Sequence, residues 1–318
     1  MSLFSSGDFP LAVKKGFNPL NSSHYRSGVV AIIGPPNAGK STLLNQLLRQ
    51  KIAIVTPKPQ TTRNRIMGIV TGPTYQMILL DTPGLHEARE EMNRQMVRVA
   101  LDTLAEADTV LFLADSADMA ASKLEKRAEE FEGYLGRITC PVVLALNKMD
   151  LLPPEQLLPV MDWYRGLHPF AAIVPISALK GVGVETLLTE LVTLLPEGPQ
   201  YYPDDIPTDA TERFIAAEII REKIFLLTRD EIPYSTAVVI DAFEEGDPVV
   251  IQATILVERN SQKGILVGQK GSMLAAIRKN ATADIEHLLG CKVRLHLWIK
   301  VSKNWTGNSN KLRELGLA

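Results

Sequence analysis

The sequence predicts an α/β fold in two parts: a mostly parallel sheet covered by helices, then a smaller α+β unit. Three observations carry this prediction. Between Gly28 and Pro196, short apolar runs alternate with amphipathic segments, the pattern of strands joined by crossover helices. The stretch Pro196 to Thr208, PEGPQYYPDDIPT, holds four prolines and no apolar period, so it reads as a linker. Charge also divides along the chain. Residues 255–318 carry 11 basic and 4 acidic side chains, a net of +7, which leaves −9 on the first 254 residues of a chain whose total is −2. Taken whole, the near-neutral charge argues against a polyanionic partner; divided, it lets the C-terminal part face one.

Taken in order, Val29 to Ile33, Met77 to Leu80, Val110 to Leu113, Val142 to Leu146 and Ala172 to Ile176 predict strands. Thr42 to Gln50, Met92 to Leu104, Pro154 to Gly166 and Val184 to Leu195 predict the helices that accompany them. Beyond the linker, Thr211 to Leu227 is expected to be helical, apolar at Phe214, Ile215, Ile219, Ile220, Ile224 and Leu227. Thr236 to Phe243 and Val249 to Glu258 follow as strands, a helix-loop-helix surrounds Gly268, and Lys292 to Val301 alternates as a last strand. The expected organisation is an extension at 1–26, a first domain at 27–196, a linker at 197–210 and a second domain at 211–318. No apolar run approaches the roughly 20 residues of a membrane span. Residues 1–26 lack the apolar stretch and cleavage site of a secretory signal, so a soluble intracellular protein is expected. Cys140 and Cys291 have no His or Cys at ligand spacing and read as buried thiols of a reducing compartment.

Gly34-Pro35-Pro36-Asn37-Ala38-Gly39-Lys40-Ser41 fits G-x-x-x-x-G-K-[ST], follows a strand and opens a helix, the context that a phosphate-binding loop requires. Its backbone NH groups can turn inward around an anion, and the helix start, reaching Thr42, adds partial positive charge. Lys40 is expected to reach the β and γ phosphates and Ser41 to ligate Mg²⁺. Asp81-Thr82-Pro83-Gly84 ends a strand, where α/β folds place ligands; Asp81 is expected to hold Mg²⁺ through water, and the Gly84 NH to contact the γ phosphate. Asn147-Lys148-Met149-Asp150 also follows a strand. A carboxylate accepts from guanine N1 and the 2-amino group together, and adenine offers no such donor pair, so Asp150 selects guanine. Asn147 is expected to brace the loop and touch the base, the Lys148 stem to lie along the ring, and Ser177-Ala178-Leu179 to offer a backbone NH to guanine O6. Each motif is weak alone; in this order and spacing they predict a GTP/GDP site.

Between the phosphate loop and Asp81 lies Thr56 to Arg65, TPKPQTTRNR, polar and broken by prolines. Such a segment is not expected to pack stably. It suits an order-disorder switch held by the γ phosphate and Mg²⁺, with a Thr hydroxyl as a further metal ligand; an ordinary solvated loop is the alternative. The residues assembled resemble the translation-factor-like GTPases and, among them, the Era family: GPPNAGKST, PQTTRNRI, DTPGLH, NKMD and SAL occur in the Era order. The resemblance implies that Thr62 is the Mg²⁺ ligand. Leu85 follows DTPG where Ras-like enzymes carry a water-orienting Gln, and Era-type enzymes likewise have a hydrophobic residue there. In related GTPases with an Asn at the position of Asn37, K⁺ bound by that Asn and by switch backbone neutralises charge near the β and γ phosphates. Asn37 either does this or merely caps its loop. No side chain stands out as a general base, so Lys40, Thr62, Gly84 and Asn37 are the expected catalytic set, acting by position and electrostatics with slow turnover.

Gly268-Gln269-Lys270-Gly271 lies between two predicted helices. A G-x-x-G there brings backbone NH groups close to a nucleic-acid backbone, which is the clamp of KH domains. Alone it is usually a turn; the flanking Ile and Val, Arg278 and Lys279 on the next helix and the net +7 strengthen it. RNA contact is expected at Gly268, Gln269, Lys270, Gly271, Ser272, Arg278 and Lys279. In the last strand Val293, Leu295, Leu297 and Ile299 point to the core. Lys292, Arg294, His296, Trp298 and Lys300 point away, a face usable for RNA or simply solvated. The order helix, strand, strand, helix, GxxG, helix, strand is that of type II KH domains and resembles the Era C-terminal domain, as do ILVERNSQKGILVGQKG and WIKVSKNW. The resemblance covers Gly28 to about Ala318. It implies a monomeric, cytoplasmic GTPase that binds the 3′ end of 16S ribosomal RNA and assists 30S subunit assembly. Peripheral contact with the inner face of the cell membrane, also implied, finds no strong amphipathic helix, so weak association or none is expected. A catalytically idle, guanine-nucleotide-dependent RNA scaffold would use the same residues. A tRNA-modifying GTPase would need a reactive cysteine near the C-terminus, and Cys291 lies in an apolar setting.

Overall fold

The computed structural model describes residues 25–59, 61–83, 91–116, 133, 135–136 and 138–317. The first domain is built on β1 (Arg26–Ile33), β2 (Ile66–Gly72), β3 (Tyr75–Asp81), β4 (Thr109–Asp115), β5 (Val142–Asn147) and β6 (Ala172–Pro175). They form one sheet in the order β2-β3-β1-β4-β5-β6, parallel throughout except for the β2–β3 pair. Among the described residues its helices include α1 (Lys40–Leu48), α2 (Glu91–Ala105), α3 (Pro154–Leu167) and α4 (Val184–Leu194). Alternation along β1 divides the core. Val30 and Ile32 join Leu43, Leu44, Leu187 and Leu191 on one face, while Ala31 and Ile33 join Phe112, Val160 and Tyr164 on the other. Both faces are thus covered, as a parallel sheet requires. β1 lies between β3 and β4, and the strand ends there open onto the crevice where such sheets bind ligands.

Strand β2 is absent from the sequence reading. Its two glycines look like breakers, but Gly68 leaves room for α1: a Cβ there would lie 2.7 Å from Leu44 Cδ1. The stretch Pro196 to Thr208 also departs from a plain linker, since it runs as a strap along β2 and β3. The fully buried Gln76 accepts from the NH groups of Tyr201 and Tyr202 (2.8 and 2.9 Å) and donates to Tyr202 O (2.8 Å). Ile69 NH donates to Pro207 O at 2.8 Å, and the Thr208 hydroxyl to Met67 O at 2.5 Å. Prolines mark an extended segment that cannot donate a full ladder, so it tethers to the sheet edge by individual bonds.

The second domain comprises α5 (Glu212–Leu227), β7 (Ala237–Glu244), β8 (Val249–Val257), α6 (Asn260–Val267), α7 (Ser272–Leu289), β9 (Val293–Val301) and the short α8 (Ser309–Glu314). The Thr211 hydroxyl caps α5 by accepting from Phe214 NH at 3.2 Å. The sheet order is β7-β8-β9, with β7 antiparallel and β9 parallel to β8. Ile219 and Ile220 of α5, with Ile277, Ala281 and Ile285 of α7, bury against Ile251, Ala253, Ile255 and Leu295. No helix among the described residues is long and apolar enough to cross a membrane.

Candidate functional site

The loop from Gly34 to Ser41 leaves β1 and enters α1. Gly39 has φ 98°, and a Cβ there would lie 2.3 Å from Asn147 Nδ2, so only glycine fits. Asn147 Nδ2 donates to Ala38 O at 2.7 Å, and its Oδ1 accepts from Ala178 NH at 2.9 Å. This one buried side chain therefore joins three loops. Lys40 folds back into the phosphate loop, its Nζ donating to Gly34 O (2.9 Å) and Pro35 O (3.1 Å). Burial lowers its pKa to about 8, against the pull of the nearby Asp81 charge.

Pairing of Ile32 with Asp81 sets the Asp81 carboxylate beside that loop. Ser41 Oγ donates to Asp81 Oδ2 at 2.7 Å and shares a hydrogen bond with Thr62 Oγ1 at 2.8 Å. Burial raises the Asp81 pKa to about 6, while the Lys40 charge and the Ser41 and Thr62 hydroxyls pull it down. Asp81 Oδ1 is buried with no hydrogen-bond partner. Two converging hydroxyls and a carboxylate with an unsatisfied buried oxygen are hard donors of the kind Mg²⁺ takes, so these residues fit that ion. Asn37, at φ 62°, donates from Nδ2 to Pro57 O at 3.2 Å and so links the phosphate loop to the Thr56 to Arg65 segment. Thr42 lines the same cleft, together with Lys40, Ser41, Thr56 and Thr62.

At the base end, Asp115 pairs with Asn147 across β4 and β5, and Lys148 Nζ meets Asp115 Oδ2 at 2.6 Å. Asp150 is held below the usual carboxylate range, first by a hydrogen bond from Ser177 and further by Lys180, whose Nζ is 3.4 Å away. Ser177 and Ala178 are buried and Leu179 is exposed, with the Ala178 NH engaged by Asn147. Gly84 and Leu85 lie outside the described residues.

The Thr56 to Arg65 segment differs from the expectation that it cannot pack. Arg63 is 4% exposed and donates to Thr236 O (2.6 Å), Tyr234 O (2.8 Å) and Pro233 O (3.1 Å) of the second domain. Burial, reinforced by the Arg221 charge and opposed by Glu218, lowers its pKa to about 9. Arg221 in turn donates to Thr61 O, and Lys58 Nζ to Phe225 O and Thr228 O. Glu222 accepts from Val55 NH (3.0 Å) and pairs with Lys51 (2.6 Å) and Lys223 (2.9 Å), both of which also reach Asp284. Polar bonds across the domain boundary hold the segment. The sequence reading gives Arg63, Arg221 and Glu222 no role, since partners such as Arg63 and Thr236 lie 173 residues apart and leave no local pattern.

In the second domain Gly268 has φ 69°, and a Cβ on it would meet Met273 Cβ at 2.7 Å. Lys270 (φ 50°) and Gly271 (φ 82°) complete the loop, which is open at Gly271, with no atom within 4 Å of a Cβ built there. Gln269, Lys270, Ser272, Arg278 and Lys279 are all exposed. Ser272 and Lys279, seven positions apart, share one face of α7.

Fold and site together define a P-loop GTPase that carries a C-terminal KH domain. A family model described as a 50S ribosome-binding GTPase matches residues 29–148, and a KH domain model matches residues 231–306. GTPase Era of Syntrophus aciditrophicus is 52% identical over 295 residues, covering 92% of this chain and 95% of that protein. GTPase Era of Geobacter sp. strain M21 is 50% identical over 299 residues, covering 93% and 99%. A crystal structure of Era with MgGDPNP and nucleotides 1506–1542 of 16S ribosomal RNA matches with a TM-score of 0.87 and 40% identity, over 93% of this chain and 100% of that one. A variant of Aquifex aeolicus Era bound to GDP.AlF4⁻ matches with a TM-score of 0.86 and 40% identity, over 92% and 99%. The chain belongs to the Era GTPase family, and is a hydrolase of GTP with a KH domain, as the resemblance in its motifs implies.

Proposed function

We propose that this chain is a GTP-operated switch that binds the 3′ end of 16S ribosomal RNA through its GxxG loop and assists 30S subunit assembly. It acts as a cytoplasmic monomer with weak or no membrane association. The observation that carries this reading is the GxxG loop, with Gln269 and Lys270 exposed and open space beside Gly271, in a domain hydrogen-bonded directly to the segment that holds Thr62. The Era structure holding MgGDPNP and a 16S segment, 40% identical over nearly the whole chain, supports both ligands. The GTPase family model names the 50S subunit, but the KH domain is the part that reads RNA, and the 16S segment favours the small subunit.

The domains are assigned to 27–196 and 211–318, joined by the strap within 197–210. The backbone of Gly34, Ala38, Gly39 and Thr42 cradles the phosphates, and Lys40 leaves the Gly34 and Pro35 carbonyls to meet them. Gly84 contacts the γ phosphate. Ser41, Thr62 and Asp81 would hold Mg²⁺, which would neutralise charge developing on the phosphates. Asp150 accepts from guanine, Lys148 lies on the ring, and Asn147 with Ser177, Ala178 and Leu179 fixes the base relative to the phosphate loop. Asn37 Nδ2 faces the Pro57 carbonyl, and a half-turn of the amide would put its Oδ1 there instead, so that an amide oxygen and a backbone oxygen share one monovalent cation. Hydrolysis is expected to run faster in K⁺ than in Na⁺ at equal ionic strength with Mg²⁺ saturating; equal rates assign Asn37 to loop capping.

The decisive experiment measures binding of a 3′-terminal 16S oligonucleotide in GDP and in a non-hydrolysable GTP analogue. Affinities that differ between the two states, and are lost in the double variant Gln269→Asp, Lys270→Asp, support the switch. Equal affinities remove nucleotide control, and no binding by the unaltered protein removes the RNA reading.

A further inference from the structure

We infer that the outer face of the β7-β8-β9 sheet is a second RNA contact, a platform on which unpaired bases stack, separate from the GxxG loop. This rests on the RNA-binding reading above. The inner face of the sheet is packed by α5 and α7, and one end of the outer face is closed: Ala237 and Leu256 lie under Trp305 and Leu312, with Met92 and Met96 of α2. Along β9 the face is bare, and Arg294, His296, Trp298 and Lys300 are all exposed.

Trp298 is 50% exposed, whereas Trp305 of the same domain is 1% exposed and donates its indole NH to Ser235 O. A large aromatic ring left half in water offers area on which a flat ligand can stack. The Trp298 ring stacks with that of His296, centroids 6.0 Å apart and planes 24° from parallel, as a near-parallel aromatic pair. Register places Gln252 beside His296 and Thr254 beside Trp298. Arg294 and Lys300 flank the ring pair on either side, roughly 7 Å from it along the strand.

Charge sets the path of the ligand. Asp241, which accepts from the Thr254 hydroxyl at 2.7 Å, and Glu244 lie on the β7 side, so a polyanion must follow the β9 edge. A flat ring pair flanked by cations is the chemistry that recognises single-stranded nucleic acid: bases stack and phosphates meet the flanks. A KH clamp holds about four nucleotides, so a longer RNA needs further surface, and β9 packs against the two helices that bracket the GxxG loop.

The test uses the full chain and two RNAs: one about five nucleotides long, which fills only the clamp, and the whole 16S segment 1506–1542. Trp298→Ala should weaken the long RNA by about tenfold and leave the short one within about twofold, while Trp298→Phe retains long-RNA affinity. The double variant Arg294→Gln, Lys300→Gln should lower the slope of log affinity against log salt by about 1.4 for the long RNA alone. RNA-free GTP hydrolysis stays unchanged in all three. Long-RNA affinity unaffected by Trp298→Ala overturns the inference and leaves this face to a protein partner. Equal losses on both RNAs also overturn it, because they place Trp298 in the clamp. If the unaltered protein binds neither RNA, the RNA-binding reading itself fails and takes this inference with it.

Discussion

Arg63→Ala probes how the second domain senses the nucleotide. Arg63 follows Thr62, whose hydroxyl meets Ser41 where Mg²⁺ would sit, and its guanidinium spans three carbonyls of the second domain. Whatever fixes Thr62 therefore biases the grip of Arg63, and the converse holds by linkage. Alanine removes three hydrogen bonds from a cation; such a bond is worth about 1.5–3 kcal/mol net, but the three share one side chain and do not add. A loss of about 2–3 kcal/mol, the worth of roughly one such bond, is a factor of roughly 30–150 in docking. Arg63→Lys should recover little, because one ammonium cannot reach all three carbonyls. The assay pairs calorimetric unfolding with titration of a GTP analogue in Mg²⁺. The variant should show a separate, earlier transition for the second domain. Its affinity for the analogue should fall by about tenfold or more, and its affinity for GDP, which lacks the γ phosphate, by much less. Arg165→Ala, breaking only the exposed 2.9 Å pair with Asp162, serves as control. An Arg63→Ala protein that unfolds and binds the analogue like the control refutes the reasoning.

Two further predictions concern the base and the domain boundary. Asp150→Asn exchanges an acceptor oxygen for a donor, which opposes the guanine 2-amino group and suits the 2-oxo group of xanthine. Competition against a fluorescent GDP should show preference moving from GTP to XTP by about 100-fold, and a retained GTP preference would take Asp150 out of base recognition. Burial alone would raise the pKa of Asp284, but hydrogen bonds and charge from Lys223 and Lys51 outweigh it and hold the carboxyl low. A lowered carboxylate gives stability that is complete above its unfolded pKa of about 4 and is lost as pH falls through the folded value. Docking should therefore weaken below about pH 4, and Asp284→Asn should flatten that acid limb while lowering stability at neutral pH. An unchanged acid limb in the variant contradicts this role.

Motifs whose parts adjoin along the chain were determined by sequence alone. A phosphate loop works through successive backbone NH groups at a helix start, and a GxxG clamp through two glycines three positions apart, so Gly34 to Ser41 and Gly268 to Gly271 declare themselves. The alternation of Val293 to Val301 likewise assigns each side chain to a face before any packing is known. Tertiary structure alone decided what distant polar groups do. Ser41, Thr62 and Asp81 meet because β1 and β3 pair in register, and Asn147 joins its loops because Gly39 lets it approach. In α5, Glu222 and Lys223 lie outside the apolar positions that predict the helix, yet they are 2% and 9% exposed under the first domain. The physical reason is that burial of apolar residues imposes a period on the sequence. A buried hydrogen bond between groups some 170 residues apart imposes none, so the bonds that tie the switch segment to the KH domain are visible only once the chain has folded.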